Sequence, residues 1–363
     1  MFFSRLLIYP TVQLFMRRAA INSFAASVLL GVASPLYAAT GMTGLDFLQG
    51  ATVSFAHGIS ADGSVVVGYT DIVAPKVGTD RQAFRWTQAG GMTGLGFFPG
   101  WKNSKAHGVS ADGNVVIGYG DYDKRTRAFR WTSSGGMVNL GVLPGDDFSH
   151  AYGVSADGTT VVGYSRNNAN GVEQAFYWTP SGGMAGLGVL RGYVSSRAYA
   201  VSADGTVVVG FSENSDGERQ AFRWTPSGGM IGLGTLSGGK TSAAIGISAD
   251  GAVVVGRSDS RNGVRAFRWT QTGGMVSLGT LPGSKASWAF GVSADGNVVV
   301  GHSVAGNANR AFRWTQSGGM SELGFLPGGT TSAAFGVSAD GKVVAGAGDN
   351  GSSLQAFRWT QGK

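Results

Sequence analysis

The chain has 363 residues, of which 43% are apolar, 13% charged and none cysteine. Disulfide staples are thereby excluded, and so is a disordered low-complexity chain, because the 62 glycines fall at fixed offsets beside Trp, Phe and Val. The formal charge of +7 falls to +4 without Arg5, Arg17 and Arg18, since 25 Lys+Arg then face 21 Asp+Glu, and so scattered a balance argues against nucleic acid as a partner.

First in chain order comes a leader. Arg17 and Arg18 precede the apolar run Ala25–Val32, and Leu36-Tyr37-Ala38 reads as a small-residue cleavage site. Residues 1–38 are therefore expected to be a signal peptide, with Met1 or Met16 as initiator. The run is shorter than the roughly 20 apolar residues that span a bilayer. An exported chain with no transmembrane segment follows, resident outside the cell, on its surface or in the periplasm.

From Gly41 to the end one motif is written seven times, in copies beginning at Gly41, Gly91, Gly136, Gly183, Gly229, Gly274 and Gly319. Each runs close to G-M-x-x-L-G-x-L, then S-x-A-x-G-V-S-A-D-G-x-V-V-V-G, a variable stretch, and A-F-R-W-T. The array is expected to fill residues 39–363 and to leave no further domain. Repeats of this length are supersecondary units that bury their apolar faces against neighbours.

The second copy shows the elements. Ala106–Ser110 reads as a short strand, a, and Asp112-Gly113 as the centre of a tight reversal into the β-branched strand b, Val115–Tyr119. A variable loop leads to strand c, Ala128–Thr132, whose Phe129 and Trp131 share a face. Another turn enters strand d, Met137–Leu140. Four antiparallel strands per copy, seven times over, predict an all-β, seven-bladed β-propeller. The chain opens on a d strand (Met42–Leu45) and ends on a c strand (Ala356–Thr360), so pairing them would close the ring.

The residues common to all copies read as framework. Trp86, Trp131 and their counterparts, each with a Phe two positions before, are expected to pack between blades. The Asp of the a–b turn (Asp62, Asp112 and equivalents) is expected to bond its own backbone. The arginine of A-F-R-W, replaced by Tyr177 in the third copy, is expected to make structural hydrogen bonds.

The run A-F-R-W-T, a Gly-Gly turn and M-x-x-L-G, with G-V-S-A-D-G-x-V-V-V-G between, resembles the HAF-type probable extracellular repeat over residues 41–363. That resemblance implies an exported bacterial protein of the kind often found as an autotransporter passenger. The histidine that names the family is replaced by Gln82, Arg127, Gln174, Gln220, Arg265, Arg310 and Gln355, and with the last repeat at the end of the sequence no translocator is expected.

Function should lie where the copies differ, on the rim that carries the b–c and d–a loops. The residue before the Ala of strand a is Phe55, Lys105, His150, Arg197, Ala243, Trp288 and Ala333, a set expected to ring the channel mouth. Loop residues Trp101, Lys102, Asp146, Asp147, Arg191 and Tyr193 lie beside them in sequence. Cations mixed with aromatics suit sugars, carboxylates or peptide side chains. The expected ligand-binding set is Trp101, Lys105, Asp146, Asp147, His150, Arg191, Tyr193, Arg197 and Trp288.

No metal-ligand or nucleophile motif stands out, and no cofactor is expected. His57 and His107 share a strand position with Tyr152, Tyr199, Ile245, Phe290 and Phe335, which marks them as core or channel-wall residues. The leading expectation is a monomeric, non-catalytic recognition propeller for a glycan, peptide or surface protein. The alternatives are a polysaccharide- or peptide-processing hydrolase or lyase with its site at the channel mouth, using acids such as Asp146 and Asp147 and bases such as His150, and a structural matrix protein.

Overall fold

The computed structural model describes residues 41–74, 78–123 and 125–362, so the leader expected over residues 1–38 lies outside them. Among the described residues every regular element is a strand, and no helix is long and apolar enough to cross a membrane. The second copy forms strands Asn103–Val109, Val115–Tyr122, Arg125–Thr132 and Gly136–Asn139, each within a few residues of its expected bounds. The other copies repeat this antiparallel meander. They give five four-stranded sheets and one eight-stranded sheet, the latter made of two meanders joined by a single parallel bridge, Phe148 to Thr126. The result is an all-β, propeller-like fold. The expected terminal pairing is present: Met42, Thr43 and Gly44 lie opposite Trp359, Arg358 and Phe357.

The sheets pack face to face through repeated wedges. Phe129 and Trp131 of one strand c lie against Val65, Val67 and Ala83 of the sheet before, with Leu95 and Phe98 of the intervening connection closing the gap. The seven c-strand phenylalanines, from Phe84 to Phe357, are completely buried, each contributing roughly 1.5–3 kcal/mol of gross burial. The tryptophans are only partly buried and cover the edge of each wedge.

Three hydrogen-bonded tethers link successive sheets. The backbone amide of Ala61 donates to the carbonyl of Ala111 (3.0 Å), Ala111 to Ala156, and so on to Ala339, whose amide donates to Ala61 (2.8 Å). The buried serine of S-x-A accepts from the strand-c alanine amide of the preceding sheet, as in Ala83 to Ser104 Oγ at 3.0 Å, and donates to its own connection at Gly96. The same bond runs from Ala356 to Ser54 Oγ across 302 residues of sequence. Arg85 Nε donates to the Gly113 carbonyl of the next sheet, and Arg130, Arg268, Arg313 and Arg358 repeat that contact.

Each a–b turn is built by its Ser and Asp. In the first, Ser60 Oγ donates to Asp62 Oδ1 (2.6 Å), which also accepts from the Ser64 amide, while Ser60 Oγ accepts from the Val65 amide. Gly63 takes the left-handed backbone (φ 73°) that the turn requires. These bonds favour the carboxylate, foremost the one from Ser60, and hold Asp62 down at about 2; Asp112, Asp157, Asp204, Asp250, Asp295 and Asp340 are lowered for the same reason. A lowered folded pKa gives stability that is present above the ordinary value of 3.8 and is lost as pH falls through the folded one. Stability in denaturant should therefore drop progressively from about pH 4 to about pH 2, with proton uptake on unfolding. A denaturation midpoint that is flat across that window would remove the turns from the acid response.

A candidate active site at the mouth of the central cavity

Every strand a carries a β-bulge against strand b, and the residues at which the register shifts are His57, His107, Tyr152, Tyr199, Ile245, Phe290 and Phe335. A bulge re-aims the extra side chain, and these seven line a central cavity of about 230 Å³. The expectation that His57 and His107 are channel-wall residues holds. Burial, with Lys105 nearby, holds His57 down to about 3 and His107 well below the imidazole range, so both are neutral at physiological pH.

The position expected to ring the mouth does not line this cavity. Each of its residues pairs across the sheet with the strand-b residue after V-V-V-G: Phe55 with Tyr69, Lys105 with Tyr119, His150 with Tyr164, Arg197 with Phe211, Ala243 with Arg257, Trp288 with His302, and Ala333 with Ala347. That glycine is obligatory, because a Cβ on Gly163 would lie 1.8 Å from the His150 carbonyl oxygen.

Side chains at this position also reach back to the preceding sheet. Lys105 Nζ sits 4.9 Å from the Tyr69 ring and 5.5 Å from that of Tyr119. His150 stacks on Tyr119 at 3.7 Å, and its Nδ1 lies 3.1 and 3.2 Å from the hydroxyls of Tyr152 and Tyr164. The Arg197 guanidinium covers the Tyr164 ring at 4.6 Å. A continuous ladder results: Tyr69, Lys105, Tyr119, His150, Tyr164, Arg197, Phe211.

The charges on this ladder are unevenly matched. Arg197 pairs with Glu173 through Nε and Nη2, yet its Nη1 is buried with no partner among the described residues. Arg81 pairs with Asp71 and Arg219 with Glu213. Lys105 has no carboxylate oxygen within 4 Å among the described residues. Burial, reinforced by Arg81 and opposed by Asp121 and Asp71, brings its ammonium down to about 8. Burial, with Lys105, Arg197 and Arg166 close by, keeps His150 neutral.

The loop residues of the expected set divide differently. Trp101 and Tyr193 pack on the inter-sheet clusters built around Phe129 and Phe222 and are framework, because the wedge between sheets gives their rings an apolar wall. Asp147 is exposed, and both its carboxylate and its carbonyl are taken, by the Asn168 amide and by Arg127. Asp146 is half-buried in the same turn, and Arg191 and Lys102 are exposed on their loops. Lys105, His150 and Arg197 are the members brought together, while Trp288 lies further round beside Arg257. The strand-b partners were missed. Their signal is present in the sequence, since the position directly after the near-constant V-V-V-G ranges over Tyr, Phe, Arg, His and Ala. Among the described residues no three His, Asp or Glu side chains converge as a metal site. Asn214, Asp216 and Glu218 form a turn in which Asn214 Oδ1 accepts the other two amides.

No family model matches the chain, and no curated protein resembles it. Solved structures do. An oligogalacturonate lyase in complex with manganese is 12% identical, with a TM-score of 0.61 over 89% of this chain and 93% of the other. An oligogalacturonate lyase from Vibrio parahaemolyticus is 11% identical, with a TM-score of 0.60 over 89% and 94%. TolB from Acinetobacter baumannii is 14% identical, with a TM-score of 0.50; the match covers 72% of this chain and 63% of that one. At these identities the likeness concerns the fold, which is of the propeller-like class. The leading expectation of a non-catalytic recognition scaffold is corrected here, because propellers that are enzymes match this chain over most of its length.

Proposed function

We propose that this chain is an exported, closed seven-bladed propeller of the HAF-repeat type that degrades an acidic polysaccharide as a lyase. Closure is supported by the Met42–Trp359 strand pairing and by the Ala339–Ala61 and Ala356–Ser54 bonds between the last repeat and the first. The likeness to TolB is compatible with export to the periplasm.

Lys105 carries the reading. It is a half-buried amine brought down to about 8, with no carboxylate oxygen within 4 Å among the described residues, and it lies one repeat before His150 and two before Arg197. Uronate elimination requires a base for the proton α to the carboxylate and a cation for the charge that develops there. Neutral Lys105 takes the C5 proton, the electron pair forms the C4=C5 double bond, and the C4–O bond breaks. The departing oxygen gains a proton from solvent, and the Arg197 guanidinium supplies positive charge for the carboxylate. Hydrolysis by two carboxylates suits this mouth less well, since Glu173, Asp71 and Glu213 are already bound to arginines.

The test is a panel of polygalacturonate, alginate, a neutral mannan and a protein substrate. A lyase generates an ultraviolet-absorbing unsaturated uronate from an acidic polymer and nothing from the mannan. New reducing ends without that absorbance would indicate a hydrolase, and no product from any member of the panel would end the reading.

A further inference from the structure

Beyond the ladder lies a second group of unmatched donors. Arg257 occupies the strand-b position of the fifth repeat, and its pairing partner Ala243 offers no side chain to bind it. Its guanidinium lies 5.1 Å from the Trp288 ring, with no carboxylate oxygen within 4 Å among the described residues. Trp288 Nε1 is buried with no partner among the described residues, as are both ring nitrogens of His302, which packs edge-on against Trp288 at 4.8 Å. Buried donors left unsatisfied are costly and call for a bound group. Arg197 and Arg257 both lie within electrostatic reach of Tyr199, whose ring lines the central cavity. The two arginines therefore lie near the same tyrosine, Arg197 in the fourth repeat and Arg257 in the fifth.

We propose that Arg257 and Trp288 form a second carboxylate subsite on the far side of Tyr199 from Arg197, so that the mouth takes an acidic oligosaccharide spanning both arginines. Arg257 binds the acid group of one sugar while Trp288 Nε1 donates to an oxygen of the same residue. This deepens the lyase reading and rests on it for the sugar chemistry.

The test measures binding without turnover. Trigalacturonate and trimannuronate, each as the free acid and as the methyl ester, are titrated calorimetrically into the Lys105→Met protein with and without Arg257→Gln. Loss of one charge-assisted contact should weaken the free acid by about tenfold or more. The ester should be unaffected, and Arg257→Lys should recover part of the loss. Equal affinity with and without Arg257, or equal losses for acid and ester, would overturn the subsite, as would failure of both free acids to bind. Matching thermal unfolding midpoints establish that the variants are folded. If the wild-type chain makes no product from any uronate while Arg257-dependent binding persists, the lyase reading falls and the subsite stands.

Discussion

Lys105→Met should remove turnover of the acidic polymer, with kcat falling by about 10²–10⁴-fold, the range expected for loss of a general base. The variant should unfold no earlier than the parent, because methionine keeps the stem packed on Tyr69 and Tyr119 and removes a buried cation. The pH profile separates a base from a structural charge. Only the neutral amine accepts a proton, so kcat/KM should climb with pH through about 8 and level off above it. Arg81, raised by its contact with Asp71 despite its burial, stays charged over that limb, and the flanking His57, His107 and His150 are already neutral. Lys105→Arg, charged throughout, should be inactive at every pH. An active arginine variant, or a rising limb that survives in Lys105→Met, would assign the base elsewhere.

Deleting residues 41–45 should be the most damaging change to stability. It strips the last sheet of its outer strand, together with the bond from the Leu45 amide to Ala356 and that from Thr360 to Gly41. Met42 and Leu45 are 6% and 2% exposed, so their loss alone removes about 3–6 kcal/mol. Domains of this kind are stable by only about 5–15 kcal/mol. Urea unfolding should shift to a much lower midpoint, and light scattering should reveal association through the bared edge of Leu354–Thr360. A truncated chain with the parental midpoint and no association would show that the terminal strand adds nothing.

The strands were legible because Val and Ile alternate with turn signals at a fixed spacing, and the terminal pairing followed from counting strands. The turn-forming Asp of the a–b turn was equally plain, whereas the Ser that donates to it was not. Ser54 and its equivalents were not, since a serine in a strand gives no sign that it will accept an amide from another repeat. The bulge was also hidden. Strict alternation along a strand would put Lys105 and His107 on one face, whereas the structure turns His107 into the cavity and leaves Lys105 between two tyrosines. Trp101 and Tyr193 were misread because an aromatic in a variable loop looks like a ligand platform until its apolar wall is seen. Variation of the loops, taken alone, favoured recognition; the enzyme reading needed the burial of Lys105.

Each rung of the ladder is shared between adjoining repeats: Lys105 belongs to the second copy yet leans on Tyr69 of the first, and His150 of the third leans on Tyr119 of the second. Exchanging a whole module would preserve the backbone scaffold while mismatching both of its borders. Diversification of this protein should then proceed by paired point changes at neighbouring borders, with recombination of intact modules yielding well-folded but inert descendants.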